Sequence, residues 1–142
     1  MGTPLFIARL LGHPVMLLAT RICITLPFLV GGIVKLADWQ GGVNEMHALG
    51  LEPAPLVNLA TLITELGGSA LVILDRKTWL GAGALGVFTV LSTFLAHRYW
   101  DFAGEARVRE FNSFLEHATI AAAFVLVTVL STRTQPHNRG IS

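Results

Sequence analysis

Charged side chains are scarce in this chain: Asp, Glu, Lys and Arg make up 13% of its 142 residues, against about 25% in soluble domains. A soluble domain of this length keeps much of its surface in water, and so few charges cannot cover that surface. Disorder is excluded as well, because 53% of the residues are apolar and disordered chains are poor in such residues. The composition therefore predicts an integral membrane protein, with the lipid bilayer as its first partner.

Several kinds of chemical site are also absent from the sequence. The single cysteine, Cys23, excludes an internal disulfide framework and a thiolate metal cluster. The sequence contains no phosphate-binding G-x-x-x-x-G-K-[ST] loop, nucleophile elbow, H-E-x-x-H or C-x-x-C motif. A formal net charge of +1 gives no attraction to nucleic acid, so we expect no nucleic-acid partner.

What the chain does have is four apolar blocks, at about residues 14–36, 55–74, 79–97 and 114–131. Each block is close to the roughly 20 residues that a helix needs to cross a bilayer, and none alternates apolar with polar residues as a barrel strand does. We predict an all-α integral membrane four-helix bundle with up-down-up-down topology, forming one domain over residues 1–142. Glycines 41 and 42 are predicted to lie in the first loop, and residues 101–112 in a charged third loop.

Four spans place both termini on the same side of the membrane. The terminal side then holds five basic residues and the opposite side four (Arg9, Arg76, Lys77, Arg133 and Arg139, against Lys35, Arg98, Arg107 and Arg109). Because Lys and Arg near span ends are retained in the cytoplasm, this bias favours cytoplasmic termini.

Two ionisable residues interrupt the apolar blocks, Arg21 in the first and Glu65 in the second. Counted from Pro14 and Leu74, they lie about 10 Å and 13 Å from the same membrane face at 1.5 Å per residue. Opposite charges at one depth stabilise each other's ionised forms, so we predict a direct or water-bridged Arg21–Glu65 contact.

The role of this predicted pair has two interpretations. Buried ion pairs can do no more than set the register of two helices. Intramembrane charges also mark ligand or proton sites, and a polar face that includes Asn58, Thr61 and Thr25 would support such a site. In the functional interpretation Arg21 donates a hydrogen bond to a ligand carbonyl, and Glu65 is its counter-charge and a proton acceptor.

A second polar group lies at the opposite membrane face and comprises Lys35, His97, Glu116 and His117. Antiparallel neighbouring helices would bring His97 and His117 to one level, where they would act as hydrated interfacial histidines or as proton relays. Adjacent helical residues point about 100° apart, so Glu116 and His117 are not expected to share a ligand sphere. We therefore predict no metal site.

Four motifs in order resemble the DoxX family of small four-helix membrane proteins. They are a first helix ending in Gly-Ile-Val-Lys-Leu (32–36), a Met-His-Ala-Leu-Gly loop (46–50) followed by Pro53, Glu-Leu-Gly-Gly (65–68) and His-Arg-Tyr-Trp (97–100). The resemblance covers about residues 15–131. The family often has Lys-Asn opening the fourth helix and a Gly pair within it, where this chain has Glu116-His117 and Ala122-Ala123.

The resemblance implies a bacterial inner-membrane protein, some of whose relatives are linked to membrane oxidoreductase complexes and quinone-coupled sulfur oxidation. The first functional hypothesis is a non-catalytic subunit that docks or supports an oxidoreductase and holds a quinone-like ligand near Arg21 and Glu65. The second is a small lipid or solute handler that forms a homo-oligomer, and the third is a structural scaffold.

Overall fold

The computed structural model describes residues 3–134. Over this range the chain contains helices and turns and no β-strand, which confirms the all-α prediction. The helices are α1 Leu5–Leu11, α2 Pro14–Ala37, α3 Trp39–Ala48, α4 Ala54–Leu62, a π-helical turn Ile63–Gly67, α5 Gly68–Ile73, α6 Thr78–Ala96, a 3-10 turn Tyr99–Asp101 and α7 Gly104–Thr134.

Four of these segments are long and apolar enough to cross a membrane: Pro14–Ala37, Ala54–Ile73, Thr78–Asp101 and Gly104–Thr132. The second runs continuously through α4, the π turn and α5. Their order confirms the predicted four-helix membrane bundle. Arg139, which contributed to the predicted orientation, lies outside the described residues.

The bundle is held together by a core at the level of Phe28. Its ring packs edge-to-face on Phe124 of α7, with ring centres 5.4 Å apart, and on Phe88 of α6 at 6.2 Å. Val72 and Leu85 are fully buried in the same cluster. These contacts join all four spans, because Val72 belongs to α5 and Leu85 to α6. Aromatic pairs of this geometry contribute about 0.5–1.5 kcal/mol beyond the burial of their surface.

Two segments predicted as loops are helical. Helix α7 begins at Gly104, ten residues before the predicted start of the fourth span. Residues 105–110 read Glu-Ala-Arg-Val-Arg-Glu, and Glu, Ala and Arg are strong helix formers. The apolar block marks only where a helix enters lipid, so a polar extension of the same helix into water was missed.

The glycines 41 and 42 lie within α3, a helix that the sequence analysis predicted as a loop. Asp38 caps this helix, since its Oδ1 accepts a hydrogen bond from the Gly41 N–H at 2.9 Å. Asp is among the preferred N-cap residues. The buried residues Gly42 and Met46 lie four apart on one face, and this spacing was the available signal for a packed helix.

Candidate functional site

The predicted Arg21–Glu65 contact is wrong. Arg21 Nη2 lies 2.7 Å from Asp75 Oδ2 in the turn between α5 and α6, whereas Glu65 Oε1 lies 3.6 Å from Lys35 Nζ. The Arg21 and Asp75 side chains are 29% and 56% exposed, so their ion pair lies at the margin of the bundle and not in its interior.

The physical reason is the register of α2 against the second span. A Cβ on Gly32 would lie 2.6 Å from the Leu66 side chain, so these two residues are level. Arg21 lies eleven residues before Gly32. On the antiparallel partner, eleven residues after Leu66 is Lys77, so Arg21 is level with about Lys77 and lies next to Asp75. The depth count assumed that Pro14 and Leu74 are level, but α2 extends past Leu74, and residues 14–20 are exposed.

The charged group in the interior is centred on Lys35. Its Nζ lies 3.6 Å from Glu65 Oε1 and 3.6 Å from Glu45 Oε2. The side chains of Lys35 and Glu65 are 13% and 7% exposed, while Glu45 is 53% exposed. This Lys35 cluster, comprising Lys35, Glu45 and Glu65, therefore joins a buried carboxylate to one at the surface. Lys35 was assigned to the outer polar group with the histidines, and the structure instead pairs it inward.

Glu65 lies in the π-helical turn Ile63–Gly67, a feature that is rare in proteins and frequent at functional sites. Its Oε2 is buried without a hydrogen-bond partner, as are Asn58 Oδ1 and Ser69 Oγ. An unsatisfied buried polar group costs about 1–3 kcal/mol. These three atoms lie on one face of the second span, so this face has hydrogen-bonding capacity that the described residues do not use.

The predicted supporting face is buried as a set: Asn58 and Thr25 are fully buried, and Thr61 is 8% exposed. The Thr25 hydroxyl is already used, because it donates to the Arg21 carbonyl at 2.8 Å. Asn58 anchors α3 by donating from Nδ2 to the Trp39 carbonyl at 3.5 Å. The structure thus places Asn58 and Thr61 on the Glu65 side of the second span, and it assigns Thr25 to the backbone of its own helix.

Helix α3 packs closely on the second span, and it also borders a cavity beside the Lys35 cluster. A Cβ on Gly42 would lie 2.5 Å from Asn58 Oδ1, so only glycine lets α3 pack at this distance. The cavity that α3 borders, the α3 cavity, has a volume of about 280 Å³. Its walls are mainly apolar, and they include the polar side chains Glu45, Thr61 and Ser92 (the others are Met46, Leu49, Leu51, Val57, Phe88, Leu91, Leu95 and Ala96). This is the composition of a small-molecule site, which is mostly apolar with a few polar groups.

The outer polar group separates into two parts. The rings of His97 and His117 are adjacent, with centres 4.6 Å apart. His97 Nδ1 also contacts Glu110 Oε2 at 3.0 Å. Glu116 is exposed and lies on a different surface, beside Arg109 and Asn112.

Three acidic partners were missed by the sequence analysis: Glu45, Asp75 and Glu110. Glu45 and Glu110 were placed in loops, whereas both lie on helices. Asp75 lies between the second and third apolar blocks, outside both. Helical spacing of residues in the polar segments could have indicated these helices. It was not used, because helices were predicted from the apolar blocks alone.

Comparison with known proteins agrees with this architecture. The DoxX family model matches residues 16–98, more than half of the chain. The chain is similar to the inner membrane protein YphA of Escherichia coli strain K12, with 29% identity over 117 residues that cover 82% of this chain and 84% of that protein. No solved structure gives a significant match.

Proposed function

The chain is a multi-pass inner membrane protein that belongs to the DoxX family, and we propose that it is a non-catalytic accessory or docking subunit of a membrane oxidoreductase system that holds a quinone-like ligand in the α3 cavity. The observation that carries this proposal is the position of Glu45. It is an acidic residue in the lining of an otherwise mostly apolar cavity, and its carboxylate is linked through Lys35 to the buried Glu65.

The residues of the cavity fit a ring with polar substituents. Glu45 as a carboxylate only accepts hydrogen bonds, so it can bond the hydroxyls of a reduced quinol, whereas the Thr61 hydroxyl can donate to a quinone carbonyl. Phe88 and the leucines supply apolar walls. A volume of about 280 Å³ is at the low end for ligand sites, so the cavity would enclose a headgroup while an apolar tail lies in the bilayer. A bound quinone would supply reversible two-electron redox chemistry.

Within this proposal Lys35, and not Arg21, is the basic partner of Glu65. Its ammonium is the counter-charge of Glu65 and holds Glu45 at the cavity edge by ion pairing. Glu65 is the interior proton acceptor. Arg21 has no part in the ligand site, because its partner is Asp75.

We further propose that both termini are cytoplasmic. Lys35 lies inside the first span, Pro14–Ala37, and its side chain is 13% exposed, so it does not count among the basic residues that flank the spans on the opposite side. Arg98, Arg107 and Arg109 then remain there, against five basic residues on the terminal side. The excess of basic residues that marks the cytoplasmic side is therefore larger than the sequence count alone indicates. Cysteine labelling at residue 2 from either side of sealed vesicles tests this orientation.

The test of ligand binding is titration of short-chain ubiquinone and menaquinone analogues into the protein in lipid nanodiscs, followed by tryptophan quenching. Trp39 begins α3, and a Trp39→Phe variant identifies its signal. We expect Thr61→Val to weaken quinone binding by up to about tenfold, since a neutral hydrogen bond contributes about 0.5–1.5 kcal/mol. Glu45→Gln should weaken binding of the reduced quinol, which has hydroxyl donors, about tenfold, since a hydrogen bond to a charged group contributes about 1.5–3 kcal/mol and 1.4 kcal/mol corresponds to tenfold. The exposed Glu116→Gln variant is the matched control.

Native mass spectrometry of the protein extracted with its lipids completes the test, because it reports bound quinone and subunit number together. Absence of quinone binding by the folded protein would remove the proposal. So would a Glu65→Gln variant with unchanged folding, complex formation and quinone-linked activity.

A second candidate, lipid handling, is favoured by a groove of about 490 Å³ between α6 and α7. Its floor includes Gly83, Gly86 and Ala122, and its walls are almost entirely apolar. Small residues of this kind leave space for an acyl chain. Ala122→Phe would fill the groove, and loss of a co-purified phospholipid without loss of quinone binding would favour this second function.

A further inference from the structure

Two imidazole rings meet where the third span ends and the fourth passes beside it. The centres of the His97 and His117 rings lie 4.6 Å apart, with the planes tilted by 45°. Each ring is also held at Nδ1 by an oxygen. His97 Nδ1 lies 3.0 Å from Glu110 Oε2, and His117 Nδ1 lies 2.8 Å from the Ser113 carbonyl oxygen.

These two contacts determine the tautomers. A backbone carbonyl can only accept a hydrogen bond, and an ionised carboxylate can only accept as well. Each Nδ1 must therefore carry the proton and donate it. In the neutral rings both Nε2 atoms then present a lone pair, which is the form of histidine that binds metal ions.

We propose that His97 and His117 together bind one divalent transition-metal ion of the Zn²⁺ class through their Nε2 atoms. Zinc–nitrogen bonds are about 2.0–2.1 Å long, so two ligating nitrogens lie at most about 4 Å apart, and ring centres at 4.6 Å allow both to reach one ion. Metal-binding histidines typically donate their other N–H to a carboxylate or a backbone carbonyl. Glu110 and Ser113 provide these two acceptors.

The surroundings favour an accessible site for a cation. The side chains of His97 and Glu110 are 25% and 21% exposed, so a hydrated ion can enter, and the carboxylate offsets part of its charge. No group of three or more His, Cys, Asp and Glu residues that could hold a metal occurs in the described part of the chain. The ion would therefore complete its coordination with water or with a ligand from outside, as an open metal site does. Imidazole ligands suit Zn²⁺, Ni²⁺ and Cu²⁺.

The experiment is calorimetric titration of Zn²⁺ into chelator-treated protein in nanodiscs, made without a histidine tag. We expect one ion per chain for the wild type and loss of this binding in His97→Gln and His117→Gln. Glu110→Gln should weaken binding about 10- to 100-fold, which is the usual effect of losing such a partner. His47→Gln is the matched control, because His47 contacts Glu52 but stacks on no second imidazole in the described structure.

Copper EPR gives a second readout, which reports the ligand atoms directly. Cu²⁺ added to the wild type should show hyperfine coupling to two imidazole nitrogens, reduced to one or none in His97→Gln protein whose circular dichroism is unchanged. The proposal is overturned if the wild type binds no Zn²⁺, or if the His97 and His117 variants bind it as tightly as the His47 control. Neither result bears on quinone binding in the α3 cavity, since the substituted residues do not line that cavity (His47, His97, Glu110 and His117).

Discussion

The Lys35 ammonium lies 3.6 Å from Glu65 Oε1, and both side chains are withdrawn from the surface. Glu65 lies near the midpoint of the second span, Ala54–Ile73. A carboxylate at this depth needs an opposite charge, because an unpaired ion in a bilayer is costly. The pair thus ties the first span to the π-helical turn of the second.

Replacing Lys35 by Met should therefore destabilise the protein strongly. Loss of one partner of a buried ion pair costs about 3–5 kcal/mol, and thermal unfolding in detergent would show a lowered midpoint. The chain's other lysine, Lys77, is exposed, so Lys77→Met is the control and should change little. The double variant Lys35→Met with Glu65→Gln should recover part of the loss. Equal unfolding midpoints for Lys35→Met and the control Lys77→Met would contradict the pairing.

Close helix packing is tested by two glycines of α6 that are two residues apart. A Cβ on Gly81 would lie 2.6 Å from the Gly68 carbonyl oxygen, whereas one on Gly83 meets nothing within 4 Å. Gly81→Ala should cost about 1–3 kcal/mol as overpacking, because the obstacle is backbone. Gly83→Ala should be neutral or stabilising by up to about 1 kcal/mol, since alanine is the better helix former. Thermal unfolding of both variants measures the difference, and a neutral Gly81→Ala would be inconsistent with this packing.

The Arg21–Asp75 pair should contribute little to stability. Both side chains are substantially exposed, and exposed ion pairs contribute about 0.2–1 kcal/mol. Arg21→Gln is therefore expected to lower stability by less than about 1 kcal/mol, with a difference that shrinks as salt is added, and to leave quinone binding unchanged. A large loss of quinone affinity in this variant would show that Arg21 contributes to the ligand site and would contradict this expectation.

Glu52 predicts a dependence of stability on pH. Its Oε2 accepts a hydrogen bond from the Ala54 N–H at 2.9 Å, and this bond, with a second contact to His47, lowers the pKa of Glu52 below its usual 4.5. A carboxyl whose pKa is lowered by folding contributes stability above its unfolded pKa and loses it as the pH falls through the folded value. Wild type should therefore exceed Glu52→Gln in melting temperature above pH 4.5.

Below that pH the two melting curves should converge, because the wild-type carboxyl becomes protonated and resembles the neutral variant. Melting temperatures measured between about pH 3 and pH 7 bracket the transition. A difference that stayed constant over this range would show that Glu52 does not titrate with folding. The exposed Glu116→Gln variant provides the comparison for a surface carboxylate.

From the sequence, several residues of the candidate site could be identified, but the contacts between them could not. Glu65 stood out because it is an acid inside an apolar block, and His97 and His117 because antiparallel helices bring their levels together. Their partners could not be derived in the same way. Lys35, Glu45 and Glu110 lie at or beyond the predicted ends of the blocks, and which of them reaches inward depends on how the helices slide past each other.

The number, order and helical character of the four spans were determined by the sequence alone. The free energy of transferring about 20 consecutive apolar residues into lipid depends only on the residues of that segment, so each span can be recognised from its own sequence. The ion partners were decided by the tertiary structure, since contact of Gly32 with Leu66 sets the offset between two helices. That offset depends on packing between side chains that are distant in sequence. A depth counted from the ends of the spans takes no account of this packing. The α3 cavity was decided in the same way, because its lining brings together residues of α3, α4 and α6 that are distant in sequence.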